Sequence, residues 1–492
     1  MPEPEALTTR SGQCLSILTP IALPWGIGRS RAPQARGAER ADDTRAAGAR
    51  VTGVSAAYVD RREIIGLAVP AFLALVAEPI FLAADSAIVG HLGTVPLAGL
   101  SVAGSVLLAA AGVFVFLAYA TTSVVARAMG AGSPTAAITA GMDGLWLSLA
   151  LGALAAAAIA ATARPLTAAF GASAAAHEQA TTYLQIGALG IPAMLVLLAV
   201  TGTLRGLLDT RTPMLVAIGG FSVNIALNLA FVHGFHWGIA GSAWGTVIAQ
   251  TGMAAVLTAI LLRRARATRA PLHPHPGRIL AAARNGIPLV VRTIALRGAI
   301  LLTVWAAAVL GDAPLAAHQI AATVWSFLAF ALDALAIAAQ AVVGRDLGAG
   351  RVDTARAVTR TLLRWGLGFG LAVGALTAAA AVLVPALFTA DPAVIRYAVP
   401  ALLVVAAGQV VAGYVFVADG VLMGAGDFRY LAWAMVGALA AYVPVVLLVR
   451  ALGVWGEPGG VLVWLWGGYA WFMVVRAVTL GLRLRGPAWS AN

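Results

Sequence analysis

The sequence predicts an all-α membrane protein of twelve transmembrane helices, arranged as two parallel six-helix repeats, and two observations carry that prediction. The first is composition: 61% of residues are hydrophobic and 11% charged, where soluble domains carry about 25% charged residues. A soluble α/β protein with a large core would need polar surface that is missing here. The second is self-similarity at an offset of 218 residues. Pro70 falls on Pro288, Leu92 and Gly93 on Leu310 and Gly311, and Pro96, Leu97 and Ala98 on Pro314, Leu315 and Ala316. Without a gap the same register pairs Arg127 with Arg345, Gly130, Ala131 and Gly132 with Gly348, Ala349 and Gly350, and Phe170 with Phe388. It ends by pairing Gly202, Leu204, Gly206, Asp209 and Arg211 with Gly420, Leu422, Gly424, Asp427 and Arg429. An apolar period this long, far beyond the roughly 20 to 50 residues of solenoids, marks a duplicated multi-helix half and points to a transporter.

Residues 1–58, rich in Arg, Pro, Gly and Ala, read as a disordered cytoplasmic tail or a mis-assigned start. Their one apolar run, Leu15 to Ile27, is broken by Pro20 and Pro24 and lacks a small-residue cleavage site, unlike a signal peptide. Apolar runs then follow, each long enough for the ~20 residues that cross ~30 Å of hydrocarbon. They cover about 64–90, 96–124, 137–162, 179–202, 213–233 and 238–262, then 281–310, 315–343, 360–385, 395–421, 430–450 and 459–481. Six spans per half give both halves the same orientation, hence parallel repeats. The expected domains are an N-lobe over 59–262, a cytoplasmic linker over 263–280, a C-lobe over 281–485 and a tail over 486–492.

All 32 basic residues are Arg, and the net charge is +12. They sit in short loops between apolar runs, which suits topology better than nucleic-acid binding. One set of loops holds Arg127, Arg205, Arg211, the cluster from Arg263 to Arg284, Arg345 to Arg364, Arg429, Arg483 and Arg485; the other holds Arg164, Arg396 and Arg450. The positive-inside rule then puts both termini in the cytoplasm of a multi-pass cell-membrane protein. The single cysteine, Cys14, allows neither a disulfide framework nor a cysteine metal cluster, and His273 and His275 read as part of a solvated linker.

Ionisable groups inside the apolar runs are the functional candidates, because an intramembrane charge persists only where it faces a cavity or a partner. Asp85 is the clearest, late in the first span and 15 residues beyond Pro70, which permits a kink. Glu78 lies seven residues earlier on nearly the same face. Asn224 and Asn228 form an i, i+4 pair on the fifth span, and Thr246 lies on the sixth. Asn228 is 17 residues from Arg211, and Thr246 is 17 from Arg263, so both stand ~26 Å above the arginines. Asp85, 23 residues beyond Arg62, also lies in the outer half, and the three can meet in one polar pocket.

In the second half Arg297 lies 13 residues from Arg284 and Asp333 lies 12 from Arg345, so matched depth suggests an ion pair. Arg292, nearer the arginine-rich side, reads as snorkelling; Gln340 and Asp419 are further cavity candidates. The repeat mate of Asp85 is Thr303, and that of Asp333 is Val115. With the backbone plan shared and the polar chemistry diverged, one half is expected to do the coupling.

At these residues the chain resembles the multidrug and toxic compound extrusion family, in its DNA-damage-inducible-protein-F-like branch. The resemblance rests on PAFLALVAEPIFLAADSAIVGHLG (Pro70 to Gly93), LRGLLDTRTP (Leu204 to Pro213), the Asn224/Asn228 span, RTIALRGAILL, AAHQIA and LDALAIAAQAVVG. It implies a V-shaped antiporter that exports organic, amphiphilic or cationic, compounds against inward H⁺ or Na⁺, with no other cofactor. Asp85 would be the N-lobe protonation site, joined by Asn224, Asn228 and Thr246. Two departures matter: Asn228 stands where some proton-coupled relatives have a second acid, and the seventh span carries Arg292 and Arg297 where Na⁺-coupled relatives have a glutamate. Together they favour H⁺ carried by Asp85 alone. A monomer in the lipid bilayer, working on small molecules and not on nucleic acid, is expected. A lipid-linked precursor flippase is the alternative, though its cationic cavity reduces here to Arg292 and Arg297. An enzyme is disfavoured, since no clustered His/Asp ligands, nucleophile elbow or phosphate-cradling glycine loop is present.

Overall fold

The computed structural model describes residues 61–453 and 457–490, so the expectations for residues 1–58, Cys14 included, lie outside the described residues. The described chain is almost wholly helical. Eleven continuous helical stretches are long and apolar enough to cross a membrane: Arg61–Gly90, Thr94–Gly130, Pro134–Ala168, Arg211–Gly234, Gly238–Ala267, Pro276–Leu310, Asp312–Gly348, Val352–Ala380, Pro392–Gly424, Phe428–Leu452 and Pro458–Arg485. The fourth expected span is the twelfth, built from Ala174–Ala188 and Ile191–Gly206 with a 49° bend at the break. Pro192 at the second helical position of the latter piece suits a fresh helix start. Counted in chain order, these are spans 1 to 12.

Local sequence fixes the helix starts. Ser133 before Pro134 accepts from the Ala136 amide at 3.3 Å, Ser173 accepts from Ala176 at 3.3 Å, and Asp391 before Pro392 accepts from Ala393 at 2.8 Å. The linker is shorter than the hydropathy suggests. Span 6 runs on to Ala267 and span 7 begins at Pro276, because a helix can continue into water once the hydrocarbon ends. Arg278, from that stretch, pairs with Asp143 of span 3 at 3.0 Å.

The duplication is visible in three dimensions as matched close approaches. A Cβ on Gly202 would lie 2.4 Å from the Ala118 carbonyl and one on Gly206 2.7 Å from that of Thr122; on their repeat mates Gly420 and Gly424, the distances are 2.3 Å to Ala336 and 2.5 Å to Gln340. Spans 4 and 10 thus pack on spans 2 and 8 through the same small-xxx-small pattern, which lets backbones meet without side chains between them. The acids just beyond those spans also match: Asp209 pairs with Arg264 and Asp427 with Arg483, both at 2.6 Å.

The halves meet near their arginine-rich ends. A Cβ on Gly130 would stand 1.9 Å from the Arg345 carbonyl, and one on its mate Gly348 2.0 Å from that of Arg127. Above this point Ala71 and Leu75 of span 1 pack on Ala334 and Ile337 of span 8, and Phe116 of span 2 meets Gly286 of span 7. These contacts join the two repeats on their arginine-rich side.

Candidate functional site

Asp85 is 3% exposed, in the outer part of span 1. Its Oδ1 accepts from Asn228 Nδ2 at 2.7 Å and from Ser242 Oγ at 2.6 Å, and its Oδ2 accepts from the Tyr183 hydroxyl at 3.4 Å. Spans 1, 4, 5 and 6 each supply one member. Every donor is neutral, and among the described residues Asp85 has no ion pair. The approach of span 6 depends on Gly245, where a Cβ would sit 2.0 Å from Asn228 Oδ1. Just beyond Asn228 the helix widens into a π turn over Ala230–Gly234, a feature often found beside functional sites.

Three buried oxygens around this carboxylate have no hydrogen-bond partner: Oδ1 of Asn224, Oδ1 of Asn228 and Oγ1 of Thr246. Such groups normally find one. A cavity of about 40 Å³ adjoins, lined by Leu107, Tyr183, Met194, Thr246 and Gln250 among others. The expected meeting of Asp85 with Asn228 is therefore present; Asn224 and Thr246 flank it one helical turn away from Asn228 and Ser242. Ser242 and Tyr183 were not singled out from sequence. Ser242, four residues before Thr246, carried a readable signal in its helical spacing; Tyr183 carried none. Pro70 is buried within span 1, which continues as helix through both it and Pro79. Glu78 is exposed and stands apart from the Asp85 cluster.

The second half departs from expectation. Arg297 and Asp333 do not pair. Matched depth fixes height but not direction around the helix: Arg297 is exposed and lies over Gly112 of span 2, its Nη2 2.9 Å from where a Cβ would stand. Asp333 faces the first half instead, accepting from the Tyr119 hydroxyl at 3.4 Å and sharing the field of Arg205. Gln340 joins the same point, donating to the Tyr119 carbonyl at 2.7 Å. Arg292 does not snorkel. It is buried and donates to Asp419 Oδ2 at 2.8 Å, and the buried Arg476 of span 12, absent from the sequence reading, donates to the same oxygen.

The C-lobe counterpart of the Asp85 pocket is filled. Thr303, the repeat mate of Asp85, shares a 2.7 Å hydrogen bond with the Tyr442 hydroxyl, and Tyr469 and Phe472 pack around that ring. With the N-lobe pocket polar and its C-lobe mate aromatic, the two halves have different chemistry on one backbone plan.

The family model described as MatE matches residues 70–230 and again 288–448, two copies in the 218-residue register. Among curated proteins, "Protein DETOXIFICATION 44, chloroplastic" of Arabidopsis thaliana is 33% identical over 457 residues, covering 87% of this chain and 84% of its own. "DNA damage-inducible protein F" of Escherichia coli is 32% identical over 297 residues, covering 58% of this chain and 63% of its own. Among solved structures, a variant of the Vibrio cholerae MATE transporter VcmN superposes with a TM-score of 0.80 at 20% identity, covering 89% of this chain and 99% of its own, a likeness of fold.

Proposed function

We propose, from the premise that this chain belongs to the MatE family, that it exports small organic compounds in exchange for an inward proton carried by Asp85. Membership makes it a multi-pass efflux transporter for toxic compounds and not an enzyme; the ion, its site and the compounds are the reading offered. The observation that supports the proton is the setting of Asp85, buried and held only by the neutral donors Asn228, Ser242 and Tyr183. No guanidinium compensates it among the described residues, so a proton arriving there leaves no buried cation unpaired. Asp419, by contrast, is already matched by two arginines. Coupling follows if the two conformations hold that proton with different affinity. The arginine distribution supports a cell membrane with both termini in the cytoplasm, and the protein is read as a monomer.

A sodium-coupled reading is favoured by one observation. The unpartnered oxygens of Asn224, Asn228 and Thr246 beside the Asp85 carboxylate are hard oxygen donors suited to an alkali cation. Purified protein in liposomes, loaded with a fluorescent organic cation, separates the two. Export that follows an imposed pH gradient at constant Na⁺ supports the proton, and export driven by Na⁺ alone at constant pH assigns the site to sodium.

A further inference from the structure

Two membrane-embedded charges have no part in the Asp85 cluster or the buried arginine network. They are Glu78 on span 1 and Arg297 on span 7. Neither forms an ion pair among the described residues, and both are exposed. At mid-span an unpaired charge facing lipid is costly even on insertion scales, so a water-filled cleft is the favoured setting.

Packing says which way each points. Ala71, Leu75, Glu78 and Asp85 follow helical spacing along one face of span 1. Ala71 is buried against span 8, Leu75 packs on the same cluster, and Asp85 is buried in the N-lobe pocket. Glu78, between them on that face, is exposed. Arg297 repeats the arrangement on span 7. Gly286, 11 residues earlier and on the same face, meets Phe116 of span 2, and at Arg297 the guanidinium rests on Gly112 of that span. Both charges thus lie outward of the contacts at Leu75 and Gly286 that join the halves.

Their heights also agree. Glu78 is 12 residues from the outer end of span 1 at Gly90, and Arg297 is 13 from that of span 7 at Leu310, so each lies ~18–20 Å below its rim. One is within one residue of being the repeat mate of the other. Span 1 thus carries an exposed acid, and span 7 an exposed base, at one height.

We propose that Glu78 and Arg297 are the two poles of the substrate site and that the preferred substrates are zwitterionic, with an amine held by Glu78 and a carboxylate-type anion by Arg297. A guanidinium offers a planar fork that matches a carboxylate, and a single cationic compound would leave that fork unmatched. This inference rests on the efflux reading above, and its test keeps the two separate.

The experiment uses purified full-length protein in liposomes under an imposed pH gradient and three dyes of one scaffold. They are a rhodamine with a free carboxylate, its methyl ester, and fluorescein, in which oxygens replace the amines. The zwitterionic rhodamine is expected to show the lowest KM. Arg297→Gln raises its KM about tenfold, the scale of one charge-assisted contact, and leaves the methyl ester unchanged; Arg297→Lys recovers part of the loss. Glu78→Gln weakens both rhodamines and spares fluorescein. An unchanged KM for the zwitterion in Arg297→Gln overturns the proposal. So does equal loss of zwitterion and ester in both Arg297 variants, or a wild type that prefers the ester. Dye binding in detergent, read by fluorescence polarisation, gives the same comparison without a gradient. Dyes that bind with this charge pattern but do not follow pH refute the proton reading and leave the two poles standing.

Discussion

Arg127 and Arg345 are repeat mates, and each reaches out of its own half into the other: Arg127 Nη1 donates to the Ala425 carbonyl at 2.9 Å, and Arg345 Nη1 pairs with Glu63 Oε1 at 2.5 Å. Gly130 and Gly348 bring the same two turns into backbone contact beside them. Ser123 adds a 3.3 Å hydrogen bond to the Gly424 carbonyl across the seam. Parting the halves on the arginine-rich side has to break this exchange.

Removing one member therefore shifts the conformational balance. In a background carrying Cys14→Ser, a Ser123→Cys reporter is buried in the seam and reacts slowly with a polar maleimide. Adding Arg345→Ala is expected to speed that labelling several-fold, since loss of a partly exposed ion pair with its second hydrogen bond to Asp346 is worth about 1 kcal/mol. Unchanged labelling would show that the glycine contacts alone hold the seam shut.

The coupling site gives a sharper expectation. Asp85→Asn keeps the size of the side chain and much of the hydrogen bonding while removing the charge that a proton would neutralise. The variant is expected in the membrane at wild-type level with gradient-driven efflux abolished. Undiminished efflux that still follows pH would remove Asp85 from the coupling role.

Gly245→Ala tests the geometry of that site without touching a polar group. Its new methyl would lie 2.0 Å from Asn228 Oδ1, with the Asn228 backbone nitrogen also close at 3.2 Å. Something must move, and the cost of overpacking is typically about 1–3 kcal/mol. Asn228 would be pushed off Asp85, so coupled efflux is expected to fall about tenfold or more while detergent-solubilised protein stays folded. An active Gly245→Ala variant would mean that Asn228 is dispensable to the carboxylate.

How much of this was legible in the sequence depends on which coordinate a residue pattern encodes. Hydropathy and the 218-residue register gave the spans and their pairing, because both are properties of the chain read one residue at a time. Depth was legible too: counting residues from the arginines placed Asp85, Asn228 and Arg297 at useful heights. Azimuth was not. Arg297 and Asp333 share a height yet face different neighbours, and Arg292, read as snorkelling, points into the bundle because its face of span 7 meets spans 10 and 12. Arg476 was hidden for a related reason, lying seven residues from Arg483 and resembling one more arginine of the terminal cluster. The bend at Leu189 and Gly190 left no proline-in-the-middle signature, only Pro192 opening the next piece.

The C-lobe network yields the last prediction. Asp419 Oδ2 takes donors from both Arg292 and Arg476, while its Oδ1 has no partner, so one carboxylate compensates two buried guanidinium groups. Breaking such a set by removing one member strands like charges in a low-dielectric interior, at a cost of about 3–5 kcal/mol. Asp419→Asn is expected to lower expression and the melting temperature in detergent markedly. Removing Arg476 as well, in Asp419→Asn with Arg476→Met, takes away one stranded charge and should recover part of the loss; the two changes are strongly non-additive. Arg297→Gln and Asp333→Asn, by contrast, should give additive effects on melting temperature, because those residues do not touch. Additivity in the Asp419 pair, or coupling in the Arg297 pair, would reverse the assignment of which charges hold the C-lobe together and which face the cleft.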